Sequence, residues 1–294
     1  MKKIPLLISF LVTGFFTYAQ KDKIYFSLED ALKSRTDVFI LSLNDKKLNE
    51  FPEGILQLTN LTTLNLSGNR LTSVPESITQ LKNLTELNLS DNRLNTIPEN
   101  VVNLVNLAVL DLSGNNISFL PGSITKLVNL KRFYLNNNKL SALPAYISGL
   151  VNLREIYLYS NLLSSVPETM SKLVNLIEIG LGANQLTTIP ESLGSLVNLK
   201  YLALSYNRFT DFPACITRLN NLIVLDLNEN KLTSLPANID KLSKLQELYL
   251  ESNKLTELPE SITRLNSLSM ININKNPSLR LSPSVKNFIA NKKI

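Results

Sequence analysis

Two glutamates, five tyrosines and two glycines carry most of the chemistry that this chain of 294 residues offers. Glu155 and Glu178 stand 23 residues apart in matching contexts, Leu-Arg-Glu-Ile-Tyr and Leu-Ile-Glu-Ile-Gly. On adjacent strands their carboxylates would lie about 5 Å apart, the separation of a retaining glycosidase pair. Arg132 and Arg154 sit close enough to neutralise both, so a lateral ladder of salt bridges accounts for the same four residues without a reaction. Composition closes off most other catalysis. The chain has no His, which removes Ser-His-Asp and Cys-His catalysis and His-ligated zinc. Its one Cys, Cys215, forbids an internal disulfide and stands where related positions carry Ser, Thr or Asn. The expectation is a non-enzymatic protein without a cofactor.

Tyr134, Tyr157, Tyr159, Tyr201 and Tyr206 gather around Gly180, Gly182 and Ala203 in the middle of the chain. Tyr offers a large face at low entropic cost together with a hydroxyl, which suits a binding hot spot or a sugar-stacking platform. Gly costs stability in a strand, and two side chains missing from successive outward positions would let a ligand approach the backbone. The expected site is therefore a shallow depression walled by tyrosines, with Arg132, Arg154 and Lys131 beside it and an acidic stretch of Asp226, Glu229, Glu247 and Glu251 further along. Such a charge gradient would orient a bound ligand.

These residues need a scaffold that repeats. Asn69, Asn92, Asn115, Asn138, Asn161, Asn184, Asn207, Asn230, Asn253 and Asn276 are each separated by 23 residues without an insertion or deletion. Lys46 holds the equivalent place one period earlier, which makes eleven repeats of the form L-x-x-L-x-L-x-x-N-x-L. A Pro falls six residues after the Asn position in most units, and an apolar residue and a Leu follow at intervals of three. Counting each unit from its first apolar residue (Val38, Leu61, Leu84 and so on to Leu268), outward side chains occupy positions three, five and seven, with eight just beyond.

The sequence resembles the leucine-rich repeat superfamily, and its L-x-x-L-P-x-x-I-x-x-L-x-N-L cadence is similar to the 23-residue Ras-suppressor-like subclass. The resemblance covers residues 38 to about 281. It implies an α/β solenoid, a horseshoe with a parallel sheet on its concave side and protein or peptide ligands bound there. The scaffold itself names no ligand, because one such fold serves many functions.

Physical chemistry leads to the same architecture. Around Leu64 and Leu66, apolar residues alternate with Thr63, Asn65 and Ser67, the period of a strand with one buried face. A unit of this size cannot bury its own Leu face, so neighbouring units stack and their strands pair in parallel about 4.8 Å apart. The Asn amide can satisfy turn groups that lack a sheet partner. Pro then fixes φ where no donor is needed. The convex side is expected to be irregular and extended, with at most a short helical turn in stretches such as 76–81.

Both ends of a stack need covers. Ser27 and Asp30 resemble a capping box opening a helix to about Lys33, within an N-terminal cap at 20–37. Ser282-Pro283 opens a closing helix within 282–294, where Val285, Phe288 and Ile289 can cover the last repeat. Ahead of the cap, Lys2 and Lys3 precede an apolar run, and Thr17-Tyr18-Ala19 fits a cut after Ala19. Residues 1–19 read as a signal peptide, with no Cys at the cut to carry a lipid. Removing them takes two Lys from a net charge of +6 and leaves +4. The expectations are a secreted or periplasmic monomer without stable membrane insertion, a protein or peptide partner, and no nucleic acid. Glycan binding through the same tyrosines is the alternative, and a structural spacer is the third reading.

Overall fold

The structure, a computed structural model, describes residues 21–97 and 99–293, so the expected signal peptide at 1–19 lies outside the described residues. Leucines set the architecture. Leu61, Leu64, Leu66 and Leu71 of one repeat and their equivalents in the inner repeats are buried in one continuous core, with Leu48 and Ile273 of the end repeats packed half-buried against it. Each repeat supplies a three-residue strand with its middle residue inward, as in Thr63–Asn65. Among the described residues twelve strands form one parallel sheet in chain order, from β1 (Ile24–Tyr25) and β2 (Ile40–Ser42) to β12 (Met270–Asn272). The register advances by one repeat per strand: Thr63 pairs with Glu86, which pairs with Val109.

The strand added beyond the eleven repeats is β1, which pairs in parallel with β2. It joins α1 (Leu28–Lys33), whose Ser27 Oγ accepts the Asp30 N–H at 3.4 Å and whose Ala31 is buried. At the far end α2 (Pro283–Ala290) starts on Ser282 and buries Val285 and Ile289. Lys293 then bridges to Met270, so the outer edge of β12 is partly covered.

The convex side returns through extended segments broken by single short helical turns, such as the one at Glu76–Gln80. Among the described residues a 3-10 helix recurs in each of the first ten repeats, usually five residues long, as in Glu76–Gln80 and Glu168–Lys172. The i to i+3 bonds of the 3-10 form suit a five-residue segment between a Pro and a buried Leu, where an α-helical turn has no room to propagate. Ile78 and its counterparts point inward from these segments.

The periodic Asn is the rung that holds successive turns together. Asn161 Nδ2 donates to the carbonyls of Leu135, Leu158 and Tyr159 at 2.9, 3.1 and 3.3 Å, and its Oδ1 accepts from the Leu140 N–H at 3.0 Å. The same four contacts recur at all ten Asn rungs. The residue before each rung, from Gly68 to Lys275, has a positive φ of 52° to 67°. Most of these residues are not Gly, so the turn is held in place by the bonds around it. A second Asn ladder crosses the other end of the strands, where Asn152 Nδ2 donates to Val128 O at 2.8 Å and Asn175 to Val151 O at 2.9 Å.

Candidate functional site

The Asn rungs create the chemistry of the concave face. Asn69 takes the Leu43 carbonyl, so the N–H of Ser67, at position seven of its own repeat, has no acceptor in the neighbouring strand. A buried or half-buried N–H needs a partner. Asn65, at position five, supplies it through Oδ1 at 2.9 Å. Asn88, Asp111, Asp226 and Asn272 do the same for Ser90, Ser113, Asn228 and Asn274. Five outward side chains, Asp226 of the acidic stretch among them, are therefore tied to the backbone of their own repeat.

Four consecutive strands abandon this arrangement: β6 (Arg132–Tyr134), β7 (Glu155–Tyr157), β8 (Glu178–Gly180) and β9 (Tyr201–Ala203). Their position-five residues are Tyr134, Tyr157, Gly180 and Ala203, none of which can cap. Asn136 reaches across from the preceding repeat to cap Tyr159 at 2.9 Å. Among the described residues no group accepts from the N–H of Asn136, Gly182 or Ser205. The first repeat shares that lack at Asn44, but it stands at the end of the stack beside β1.

The tyrosines divide into a stack and two outliers. Tyr134 and Tyr157, side by side in register, stack with ring centroids 5.0 Å apart and planes 5° apart. Tyr159 continues the row at 6.4 Å and 23° from Tyr157. Tyr201 lies one strand beyond Glu178 at position three and is 38% exposed, and Tyr206 stands in a left-handed turn at the rim, 57% exposed. Neither joins a ring pair among the described residues, so the structure brings together three of the five.

The glycines do something other than bare the backbone. A Cβ on Gly180 or Gly182 would fall against the ring of Tyr159, so both glycines seat that ring. The expected depression is filled by Tyr159, and what remains is an aromatic shelf. The burial that this creates raises the Tyr159 hydroxyl well above the ordinary phenol range, with Asp226 and Glu178 adding to the effect.

The charged residues also depart from expectation. No ion pair among the described residues involves Arg132, Arg154, Glu155 or Glu178, so the lateral salt-bridge ladder is not formed. Glu155 and Glu178 do lie opposite each other in register. Burial pushes the Glu178 carboxyl up, the Tyr157 hydroxyl bonded to it pulls the other way, and Glu155 adds to the rise. Arg132 begins β6 and sits by Tyr134, whereas Arg154 precedes β7 at the strand entrance, in line with Lys131 and Lys200. The acidic stretch is largely engaged within the protein. Asp226 caps Asn228, Glu247 accepts the Tyr249 hydroxyl at 2.6 Å, and Glu251 pairs with Lys275 at 2.7 Å. Cys215 is buried, which pushes its thiol up to about 11 and leaves it unreactive at neutral pH.

The periodicity, the parallel sheet and the Asn rungs decide the family, and family models agree. A leucine-rich repeat region model matches residues 86–185 and 183–288, and a leucine rich repeat model matches 38–94. The chain belongs to the leucine-rich repeat family. Solved leucine-rich repeat structures resemble it along most of its length. A leucine-rich repeat protein of Leptospira interrogans is 28% identical with a TM-score of 0.57, covering 91% of this chain and 97% of that one. The plant peptide hormone receptor RGFR1, solved in complex with RGF2, is 30% identical with a TM-score of 0.72, covering 88% of this chain and 45% of the receptor. A TLR13–ssRNA13 complex gives 27% identity and a TM-score of 0.75, covering 87% of this chain and 39% of that one. This leucine-rich repeat chain thus spans less than half the length of either of the last two. No curated protein matches its sequence. Among the described residues no helix is long and apolar enough to cross a membrane.

Proposed function

We propose that this leucine-rich repeat protein is a non-enzymatic scaffold that binds a peptide or an extended segment of a protein across β6 to β9. The observation that carries the reading is the coincidence of two features in those strands. The Asn136, Gly182 and Ser205 N–H groups lack acceptors among the described residues, and the Tyr134, Tyr157 and Tyr159 rings form a shelf beside them. Unmet donors cost stability, and a ligand's backbone carbonyls can satisfy them as a β-addition peptide satisfies a sheet edge. The shelf supplies apolar area and hydroxyls for side-chain contacts, with Arg132, Arg154, Tyr201 and Tyr206 around it. The open, half-exposed face suits binding better than water-excluding catalysis by the Glu155–Glu178 pair.

The likeness to a receptor solved with its peptide hormone supports this reading at the level of scaffold. The proposal extends to organisation: a leader at 1–19, a cap at 20–37, the solenoid at 38–281 and a closing helix from 282, in a monomer exported to the periplasm or medium. Capture from the producing cell's surface and culture fractions tests it, comparing wild type with a folded Tyr134→Ala, Tyr157→Ala, Tyr159→Ala variant. A partner held by wild type and lost by the variant supports the concave site. A partner held equally by both overturns it, and a partner displaced by free sugar moves the reading to glycan recognition.

A further inference from the structure

The entrance side of the strands, away from the tyrosine shelf, has its own chemistry. From 57–62 to 264–269, ten six-residue stretches, one for each repeat after the first, run from the end of a 3-10 segment to the start of the next strand. Together they contain ten Lys or Arg and no Asp or Glu, while the rest of the chain from residue 20 holds 18 basic residues against all 24 acids. The charge of the protein is therefore segregated onto one rim. Arg218 and Arg264 are paired with Glu191 and Asp240 from the neighbouring 3-10 segments. Lys126, Lys131, Arg154, Lys172 and Lys200, in the centre, have no ion pair among the described residues and are exposed. Cations stacked on rungs about 4.8 Å apart repel one another. That cost is offset when a polyanion lies along them.

Two further features share this rim. Val105, Val128, Val151, Val174 and Val197 recur every 23 residues at 44% to 53% exposure, a single-file apolar line between the cations. Towards the N-terminal end, a groove of about 620 Å³ runs past Asn60, Asn83, Asn106 and Asn129 to Lys131. Each of these Asn side chains donates an amide N–H to a backbone carbonyl, Thr36 O in the cap for Asn60 and one in the preceding repeat for the others, which leaves Oδ1 to accept. Thr62 and Thr85, also in the groove, spend their hydroxyl protons on Phe39 O and Thr62 O. The groove thus offers a row of Oδ1 and Oγ acceptors beside the second N–H of each Asn amide, and further along Lys244 Nζ takes the Asn221 Oδ1 of the same ladder at 2.7 Å.

We infer that this rim binds an acidic polysaccharide laid along the solenoid axis. Sugar hydroxyls donate to the Asn and Thr oxygens, carboxylates meet the central Lys and Arg, and the C–H faces of the rings cover the valines. A polymer of carboxylates alone leaves the acceptor row unmet. A bilayer surface cannot follow an inset groove.

Binding of hyaluronate and polygalacturonate oligosaccharides to the purified full chain tests the assignment, with dextran, poly-glutamate and phosphatidylglycerol vesicles as competitors. The acidic oligosaccharides should bind, weakening as salt rises. A Lys126→Gln, Lys172→Gln, Lys200→Gln variant should bind about tenfold or more weakly, whereas Lys139→Gln, Lys231→Gln, Lys254→Gln on the opposite rim should stay within about twofold. Both triples alter exposed side chains, and matching melting temperatures confirm folding. No binding by either acidic oligosaccharide, equal loss in the two triples, or tighter binding of poly-glutamate or of vesicles would overturn the assignment.

Discussion

The repeats containing Thr63–Asn65, Glu86–Asn88 and Val109–Asp111 and the four that follow them share one backbone, yet they treat the same N–H group in opposite ways. In the earlier three, Asn65, Asn88 and Asp111 give up an outward position to cap the residue two places on. In the later four, that position holds Tyr, Tyr, Gly and Ala, and three caps are missing. Sheet pairing and core packing are the same in both regions, so the difference lies in what each spends on its own stability. The earlier repeats are internally satisfied, and the later ones leave donors and aromatic area available to another molecule.

The largest effect should come where the two regions are alike. Asn92→Ala and Asn161→Ala each strip a buried rung of four hydrogen bonds, and each should cost about 3 kcal/mol in denaturant unfolding. A much larger loss at one of them would show that the regions differ in their framework as well as in their caps. Next, Asn88→Ala exposes the Ser90 N–H and should destabilise by about 1 kcal/mol, while Gly182→Ala should cost a similar amount by lifting the Tyr159 ring and should also impair ligand capture. The reverse exchange sharpens the contrast. Tyr134→Asn gives β6 the cap that its neighbours have and should raise stability by up to about 1 kcal/mol while weakening binding. Unchanged binding with raised stability would remove Tyr134 from the site.

The smallest effect concerns Glu178. Its folded carboxyl titrates above the ordinary 4.5, so the folded state binds its proton more readily than the unfolded chain does. Stability contributed by this group therefore rises as pH falls through the folded value towards 4.5 and is constant again below it. Glu178→Gln should flatten that part of a plot of melting temperature against pH, leaving the residual slope due to Asp111 and Asp226, which burial also raises. An unchanged slope would show that Glu178 is solvated.

The fold was legible because burial enforces it at every rung: Leu spacing, the Asn period and the end caps all answer to packing and unmet backbone groups. The position-five caps were equally open to inspection, since Asn or Asp two residues before a turn N–H is an Asx pattern. They were missed because outward-facing polar residues read as surface. The seat of Tyr159 on Gly180 and Gly182 was written in adjacent repeats as a large residue beside two absent side chains. What sequence could not show is which way flexible charges reach. Arg132 and Arg154 had partners by proximity in register, but exposed ion pairs contribute so little that side-chain freedom outweighs them.

The Asn rungs also govern how such a molecule can change. Each rung grips a carbonyl 26 residues back and serves an N–H 21 residues back, so every repeat is keyed to the one before it. A residue inserted between strand and rung would break both bonds, whereas a duplicated block of 23 restores all of them. Ancestry can lengthen or shorten this chain most cheaply in whole teeth, like a rack, and the tyrosine shelf can move relative to either end only by whole notches.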